Sequence, residues 1–212
     1  MLIKKGAEAS LYLEEWHNHK VIMKRRLPKK YRLPEIDMEI RSQRTVQEPE
    51  NIHRAKEAGV PTPTVFMVDV VEANIIMEFI DGKQVKQVLD SLSSEEKRSL
   101  CRYIGELIGR LHSHGILHGD LTTSNMILTP EGRVVFVDFG LSGLSTELEA
   151  RGVDLHLMKR AFQSTHYKHA EESFAAVMKG YVEVIGEELT ENILEKIREI
   201  EGRGRYISRE ER

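Results

Sequence analysis

The sequence predicts an α+β fold of two lobes, an antiparallel-sheet N-lobe followed by a reduced and mostly helical C-lobe. Two observations favour this class. Short alternating or β-branched runs dominate the first 80 residues, whereas only helical periodicity remains after residue 137. The pattern changes at Asp81-Gly82, so we expect the N-lobe to span residues 1–80, the C-lobe to span 81–212, and a cleft to lie between them.

Composition limits the classes of protein that remain. With 212 residues, of which 40% are hydrophobic, the chain can bury a core. The 31 Lys and Arg residues against 34 Asp and Glu give a net charge of −3, which excludes a uniformly basic nucleic-acid-binding surface. Cys101 is the only cysteine, so neither an intrachain disulfide nor a cysteine-rich zinc framework can form. We expect a cytoplasmic protein without membrane contact, because charges interrupt every hydrophobic run before it reaches membrane-spanning length.

The N-lobe pattern indicates two hairpins and one helix. Residues 10–14 and 19–24 form the first pair of strands, and residues 65–71 and 74–80 form the second. Helical spacing extends from residue 35 to 58, where Pro49 must either kink the helix or start a new one. Residues 20–34 form a basic segment without any acid, and we expect it to be a loop. Its seven basic residues are Lys20, Lys24, Arg25, Arg26, Lys29, Lys30 and Arg32.

The C-lobe pattern begins with a helix that Ser93 and Glu96 open as a capping box and that Gly115 ends. Two short strands, 125–128 and 133–137, follow it. Three further helices are predicted over 153–162, 170–185 and 191–200. The last stretch, 202–209, is basic and interrupted by glycine, which favours an extended tail.

Three polar motifs in the C-lobe have an order and spacing typical of phosphoryl transfer from ATP. Asp120 lies in His118-Gly119-Asp120, Asn125 follows five residues later, and Asp138 begins Asp138-Phe139-Gly140. Asp138 and Asn125 supply the oxygen ligands that Mg²⁺ prefers, and the small hairpin between them brings both to one end of a sheet. Asp120 is then free to orient the acceptor and take its proton.

A lysine in the N-lobe completes the pattern. Lys24 ends an apolar strand, where a cation can grip the α- and β-phosphates if a helical acid holds it in place. We choose Glu48 for that acid, and Glu39 is the alternative. Each motif alone is common in unrelated proteins, but their joint order and spacing favour a kinase over coincidence.

Other polar residues have two interpretations each. His112, His114 and His118 could be zinc ligands, although their spacing does not bring three imidazoles to one tetrahedral centre, and caps or core hydrogen bonds are the usual role. Asp154 could be an ordinary carboxylate of a helix N-terminus, or it could accept hydrogen bonds from the loop that carries Asp120.

These motifs belong to a longer pattern, and with it the sequence resembles the PRPK family, the small atypical protein kinases of the KEOPS (EKC) complex, in its archaeal form. The resemblance covers nearly the whole chain. It is carried by Gly6-Ala7-Glu8-Ala9, Lys24-Arg25-Arg26, Pro28-Lys29, Tyr31-Arg32, Arg44-Thr45 with Glu48, Gly59-Val60-Pro61-Thr62-Pro63, His118 to Asn125, Asp138 to Leu141, Gly152-Val153-Asp154-Leu155 and the arginine-bearing tail.

The resemblance implies a small bilobal protein-kinase-like fold and an ATP site that uses Mg²⁺. Asp120, Lys24 and Glu48 would be catalytic, and Asn125 and Asp138 would hold the metal ion. The nucleotide would also contact Gly6, Ala7, Glu8 and Ala9 in the phosphate-covering loop and Met77, Glu78, Phe79 and Ile80 before the lobe boundary.

The same resemblance implies a serine/threonine kinase and ATPase subunit of an assembly that makes threonylcarbamoyladenosine in tRNA. The expected partners are a carbamoyl-transfer subunit and a small regulatory subunit that contacts the N-lobe, with tRNA bound through the complex.

Several residues depart from ordinary protein kinases. The phosphate-covering loop has one glycine, Gly6, so we expect a looser grip on the phosphates. Gly119 stands in place of the arginine that binds the phosphorylated residue of the activation loop in ordinary kinases. Thr122 stands where many kinases have a lysine. Only 74 residues follow Asp138 (212 − 138), too few for a broad peptide platform, so we expect a slow enzyme whose acceptor is water or is presented by a partner.

Two other functions stay open. A small-molecule phosphotransferase of the aminoglycoside or choline kinase type shares His-Gly-Asp and a downstream Asn, but needs a larger acceptor pocket. A non-catalytic scaffold could use the basic segment and the tail Arg203 to Arg209, although the intact polar motifs speak against it. The basic residues themselves could contact tRNA or a partner, or could form a solvated face.

Overall fold

The two-lobed α+β fold predicted above is confirmed by a computed structural model, which describes the backbone of residues 1–207 and the side chains of residues 1–202. The N-lobe contains a five-stranded antiparallel sheet in the order β1-β2-β3-β5-β4 and one long helix. The strands are β1 Leu2–Lys5, β2 Ser10–Trp16, β3 His19–Arg25, β4 Val65–Asp69 and β5 Asn74–Glu78, and the helix is α1 Pro34–Glu57.

The first hairpin is confirmed, and its turn explains it. His17 and Asn18 both have positive φ, as a tight two-residue turn requires, and Asn tolerates that conformation well. Strand β3 is central, so Lys24 pairs with Leu11 on one side and with Ile75 on the other. The prediction that residues 20–34 form a loop is wrong in its first part, because β3 continues to Arg25. Strand β1 was not predicted, since its four residues are all exposed and show no alternation.

Helix α1 excludes one of the two alternatives predicted for Pro49, the start of a new helix at this residue. The helix begins at Pro34, in the first turn where a missing N–H costs nothing, and runs without interruption through Pro49 to Glu57. The start of a new helix at Pro49 is wrong, because proline inside a helix removes one backbone hydrogen bond but does not end a helix that tertiary contacts hold. The buried residues Thr45, Glu48, Asn51 and Ile52 provide those contacts.

Four longer helices form most of the C-lobe: α3 Ser94–Ser113, α4 Leu148–Thr165, α5 Ala170–Ile185 and α6 Glu187–Ile207. The short elements are β6 Lys83–Gln84, α2 Val85–Val88, β7 Ile116–Leu117, β8 Met126–Leu128, β9 Val134–Phe136 and β10 Gly143–Leu144. The capping box of Ser93 and Glu96 is confirmed. Helix α4 begins five residues before the predicted start at residue 153. The tail is helical as far as Ile207, not extended, whereas Ser208 and Arg209 lie outside the described residues.

Glycine lets α3 and α5 approach each other closely in the C-lobe core. A Cβ added at Gly105 would lie 1.9 Å from the carbonyl oxygen of Val177, and one at Gly180 would lie 1.8 Å from that of Arg102. Only glycine avoids this overlap of side chain and backbone. Helix α3 also contacts β7, which leads directly into the loop that carries Asp120. No helix in the described part of the chain is long and apolar enough to cross a membrane.

Candidate active site

The predicted site residues line two adjoining cavities between the lobes. The larger cavity, of about 450 Å³, is bordered by the segment Met77 to Ile80 and by apolar side chains from both lobes, including Ile22 and Val137. The smaller cavity, of about 290 Å³, is bordered by Gly6 to Ala9 and Asp120. Lys24 and Asp138 border both, so the two cavities form one continuous cleft.

Lys24 joins the two lobes through two carboxylates. Its Nζ lies 2.7 Å from Oε1 of Glu48 and 2.6 Å from Oδ1 of Asp138. Burial by itself would lower the pKa of Lys24, but the two carboxylates outweigh burial and the nearby Arg26, so the pKa is raised. Lys24 therefore stays charged at any physiological pH, which is compatible with its predicted role as a phosphate-binding cation.

Glu48 is the helical acid that pairs with Lys24, and Glu39 is exposed elsewhere on α1. Glu48 is 1% exposed and has a second cationic partner, Arg26, which is 3% exposed. Sequence reasoning placed Arg26 in a basic surface and so missed this contact. The available signal was its spacing, since residues two apart on an extended segment, here 24 and 26, point to the same face.

Asp120 and Asn125 contact each other across residues 118–125, the predicted catalytic loop, which is called the catalytic loop below. The side-chain nitrogen of Asn125 donates to the Asp120 carboxylate over 2.8 Å and to its backbone carbonyl over 3.0 Å. This assignment leaves the amide oxygen of Asn125 as an acceptor beside the cavity.

Asp138 offers the second oxygen group, from a half-exposed side chain on a backbone with a φ of 66°. Burial would raise the pKa of its carboxyl, but the charge and hydrogen bond of Lys24, helped by the backbone N–H of Gly140, lower it below the ordinary value. Asp138 is therefore ionised at neutral pH. A carboxylate and an amide oxygen suit Mg²⁺, so the donor set present here fits that ion.

The Asp154 carboxylate anchors the catalytic loop through hydrogen bonds, and this agrees with the second of the two interpretations given for this residue. Its carboxylate accepts hydrogen bonds from the backbone N–H of His118 at 2.8 Å and of Gly119 at 2.9 Å, and it lies 3.2 Å from Nε2 of His112. Burial opposes the charge, but these partners, His112 foremost, lower the pKa of Asp154. The loop geometry therefore depends on a buried carboxylate in the second turn of α4.

His118 is a neutral support for the same loop. Its Nδ1 accepts from the Asp120 backbone N–H at 3.3 Å, and its Nε2 is 3.2 Å from the carbonyl oxygen of Val137. Burial lowers the pKa of His118 more than the surrounding carboxylates raise it, in agreement with a ring that accepts at one nitrogen and donates at the other. His112 contacts Tyr181 and Asp154, and His114 lies on the surface near the Arg110 carbonyl, so the three histidines do not converge.

Side chains from α1 and the basic segment cross-link the phosphate-covering loop. Glu8 lies 2.9 Å from Arg44 and 3.4 Å from Arg32, and Lys29 donates to the carbonyl oxygen of Ala7. Gly6 closes the loop through a backbone hydrogen bond of 2.9 Å to Ala9. These cross-links, which sequence reasoning missed, hold a loop that has a single glycine.

Comparisons with known proteins agree with this geometry. The chain matches the family described as Lipopolysaccharide kinase (Kdo/WaaP) over residues 7–181. It is 53% identical to the KEOPS complex subunit Bud32 of Pyrococcus abyssi, over 98% of this chain and 97% of that protein. The chain belongs to the Bud32 family. The kinase interpretation and the family resemblance are thereby confirmed.

Other members of the Bud32 family extend the comparison. A probable serine/threonine-protein kinase BUD32 homolog from Archaeoglobus fulgidus is 38% identical over 99% of this chain and 98% of its own length. A probable bifunctional tRNA threonylcarbamoyladenosine biosynthesis protein from Methanothermobacter thermautotrophicus is 46% identical over 97% of this chain, which spans only 36% of that protein. Among solved structures, the Rio2 kinase-ADP/Mg²⁺-phosphoaspartate complex from Chaetomium thermophilum has the same fold, with a TM-score of 0.64 at 18% identity over 94% of this chain and 69% of that one.

Proposed function

We propose that this chain binds Mg·ATP in the cleft and is an atypical serine/threonine kinase and ATPase subunit of a KEOPS complex, supporting threonylcarbamoyladenosine modification of tRNA. One observation carries the catalytic part of the proposal. Lys24 contacts both Glu48 of the N-lobe and Asp138 of the C-lobe, and the Asp120–Asn125 pair borders the same cleft. This is the arrangement that phosphoryl transfer needs, with a cation, metal ligands and an acceptor-orienting carboxylate in one place.

Each part of the cleft has a role in this proposal. The apolar cavity beside Met77 to Ile80 accepts the adenine ring, and Gly6 to Ala9 cover the phosphates. Lys24 binds the α- and β-phosphates, and Asp120 orients the acceptor hydroxyl or water. Asp138 and the amide oxygen of Asn125 hold Mg²⁺, which when bound neutralises charge on the phosphates.

One exposed apolar surface of the N-lobe fits an expected partner. Edge strand β4 exposes Phe66, Met67 and Val68, and Trp16 stacks on Phe66 with ring centroids 5.7 Å apart. We assign this apolar edge to the small regulatory subunit. The carbamoyl-transfer subunit is the second protein partner, and tRNA reaches the chain through the complex, in the cytoplasm and without membrane contact.

The basic segment can contact tRNA only through part of its charge. Lys24 and Arg26 are buried and paired, whereas Arg25 and Lys30 are exposed. Charge reversal of Arg25 and Lys30 should therefore weaken tRNA binding in a salt-dependent way, and unchanged binding would rule this contact out. Truncation after Gly202, which removes the basic tail, should lower ATPase activity; undiminished turnover would refute a role for the tail.

The decisive experiment measures ATP turnover by the full chain with and without the carbamoyl-transfer subunit and tRNA. Asp120→Ala should abolish turnover and retain ATP binding, whereas Asp138→Ala should weaken Mg·ATP binding itself. Asp81→Ala changes an exposed aspartate at the lobe boundary and is the matched control. Full turnover by either site variant would overturn the proposed function.

A small-molecule phosphotransferase is the second candidate function, because the matched family is named for a lipopolysaccharide kinase. A panel of sugar, aminoglycoside and choline acceptors, with ATP consumption in their absence as the baseline, separates the two candidates. Stimulation of turnover by one acceptor class, but not by the complex and tRNA, would favour this second function.

A further inference from the structure

Strand β1 brings one of its lysines to the candidate nucleotide cleft. Lys4 is exposed, and it borders both the apolar cavity and the smaller cavity of the cleft. The other residues that border both cavities are Leu11, Lys24 and Asp138. Lys4 therefore lies at the junction of the two cavities, beside the residues assigned to phosphate and metal binding.

An irregularity in β1 explains how Lys4 reaches the cleft. Leu2 lies opposite Tyr12 of β2, and Lys4 lies opposite Leu11, so β1 advances by two residues where β2 advances by one. This is a β-bulge, with Ile3 as the extra residue. In a regular strand Ile3 and Lys4 would point to opposite faces of the sheet, whereas here both border the apolar cavity. The bulge thus brings two consecutive side chains to the cleft.

The charge of Lys4 is not compensated by a carboxylate in the described part of the chain. Three other cations border the smaller cavity, and each has a carboxylate partner: Lys24 contacts Glu48 and Asp138, Arg26 contacts Glu48, and Arg44 contacts Glu8. An ammonium group without such a partner can give its full charge to an incoming anion. Lysine binds phosphate as a point charge, through a charge-assisted hydrogen bond.

We propose that Lys4 is a nucleotide-binding residue that contacts a phosphate group of ATP. The inference rests on the proposed ATP-binding function and adds a side-chain contact to it. The phosphate-covering loop has a single glycine, Gly6, and so offers few backbone N–H groups to the phosphates. Lys4 precedes this loop by two residues and supplies a positive charge at the place where the loop grips loosely.

The test compares the affinities of Mg·ATP and adenosine for the full chain, measured by titration calorimetry. Lys4→Gln should weaken Mg·ATP binding about fivefold to tenfold and change adenosine binding by less than about twofold, because adenosine carries no phosphate. Lys4→Arg keeps the charge and should bind Mg·ATP within about threefold of the wild type. The matched control is Lys5→Gln, which removes the next lysine of β1. Lys5 is also exposed but borders neither cavity, so this variant should bind both ligands as the wild type does.

Ionic strength provides a second readout, which a change in the shape of the cleft would not move. Because Lys4 is exposed, salt screens its attraction for phosphate. Raising the salt concentration from about 0.05 M to about 0.5 M should therefore weaken Mg·ATP binding less in Lys4→Gln than in the wild type. Lys5→Gln should keep the salt dependence of the wild type. The same salt dependence in Lys4→Gln and the wild type would overturn the inference.

The remaining outcomes separate the inference from the proposed function. An equal loss of Mg·ATP and adenosine affinity in Lys4→Gln would show that Lys4 only shapes the cleft, and unchanged Mg·ATP affinity would show that it makes no contact; either result overturns the inference. Lys4→Met keeps an unbranched side chain without the charge and should reproduce Lys4→Gln, so wild-type affinity in that variant would overturn it too. Failure of the wild type to bind Mg·ATP would instead refute the proposed function.

Discussion

Replacing Asp154 by asparagine isolates what a buried carboxylate contributes to the catalytic loop. The carboxylate accepts from two backbone N–H groups, of His118 and Gly119, through separate oxygens. Asparagine has one oxygen, so one N–H must face an amide nitrogen that cannot accept. An unsatisfied buried donor costs about 1–3 kcal/mol, and the exchange of a charge-assisted bond for a neutral one costs about 1 kcal/mol more.

The expected loss is therefore about 2–4 kcal/mol of the free energy of unfolding, which for a chain of this size lowers Tm by roughly 5–15 °C. Urea denaturation of Asp154→Asn against wild type measures the loss, and Asp81→Asn, which changes an exposed aspartate, is the control. ATP turnover should fall in parallel at temperatures where the variant is folded, because the loop that carries Asp120 loses an anchor. A stability change below about 0.5 kcal/mol would refute the reasoning, since it would mean that the loop keeps its geometry without this carboxylate.

Three further predictions follow from the backbone and from buried charges. Gly119→Ala should lower the free energy of unfolding by about 2 kcal/mol or more in denaturant titrations, because φ is +78° and the added Cβ would lie 2.2 Å from the carbonyl oxygen of Leu141. A variant as stable as the wild type would contradict this. Gly180→Ala should cost about 3 kcal/mol or more by separating α5 from α3, whereas Gly143→Ala, with nothing within 4 Å of its added Cβ, is the control. Finally, the free energy of unfolding should decrease as the pH falls below 6.5, by up to about 1.4 kcal/mol per pH unit. The reason is that the pKa of His118 is lowered in the folded chain, so the unfolded chain takes up this proton first. His118→Gln should reduce the slope, and an unchanged slope would assign the pH dependence to other groups.

Much of the fold was predictable because its signals are local. The hairpin of β2 and β3, the capping box at Ser93 and the helical C-lobe follow from alternation, capping and periodicity within short windows. Strand β1 and the start of α4 were not predictable in this way. Strand β1 is an exposed edge strand that forms only because it pairs with β2. The helical tail was missed because glycines at 202 and 204 lower helix propensity without preventing a helix.

The candidate site was also predictable only in part, where residue type and spacing carry the signal. Lys24, Asp120, Asn125 and Asp138 were predicted from residue type and spacing, and the structure places them in one cleft. Glu48 was preferred over Glu39 without a geometric reason. Arg26 was missed because a run of basic residues resembles a solvated face. Burial is a tertiary property, so a sequence of like charges cannot reveal which of them turns inward.

The connection after Asp138 limits how inhibitors could act on this chain. Phe139 is 1% exposed, its ring centroid is 4.7 Å from that of His118, and its carbonyl oxygen accepts from the Ser142 N–H. Four residues after Phe139, β10 begins at Gly143 and pairs with β7, and α4 begins at Leu148. Compounds that require this phenylalanine to swing out would have to break that pairing as well, so we expect nucleotide-competitive compounds that leave Phe139 buried to be the ones that succeed.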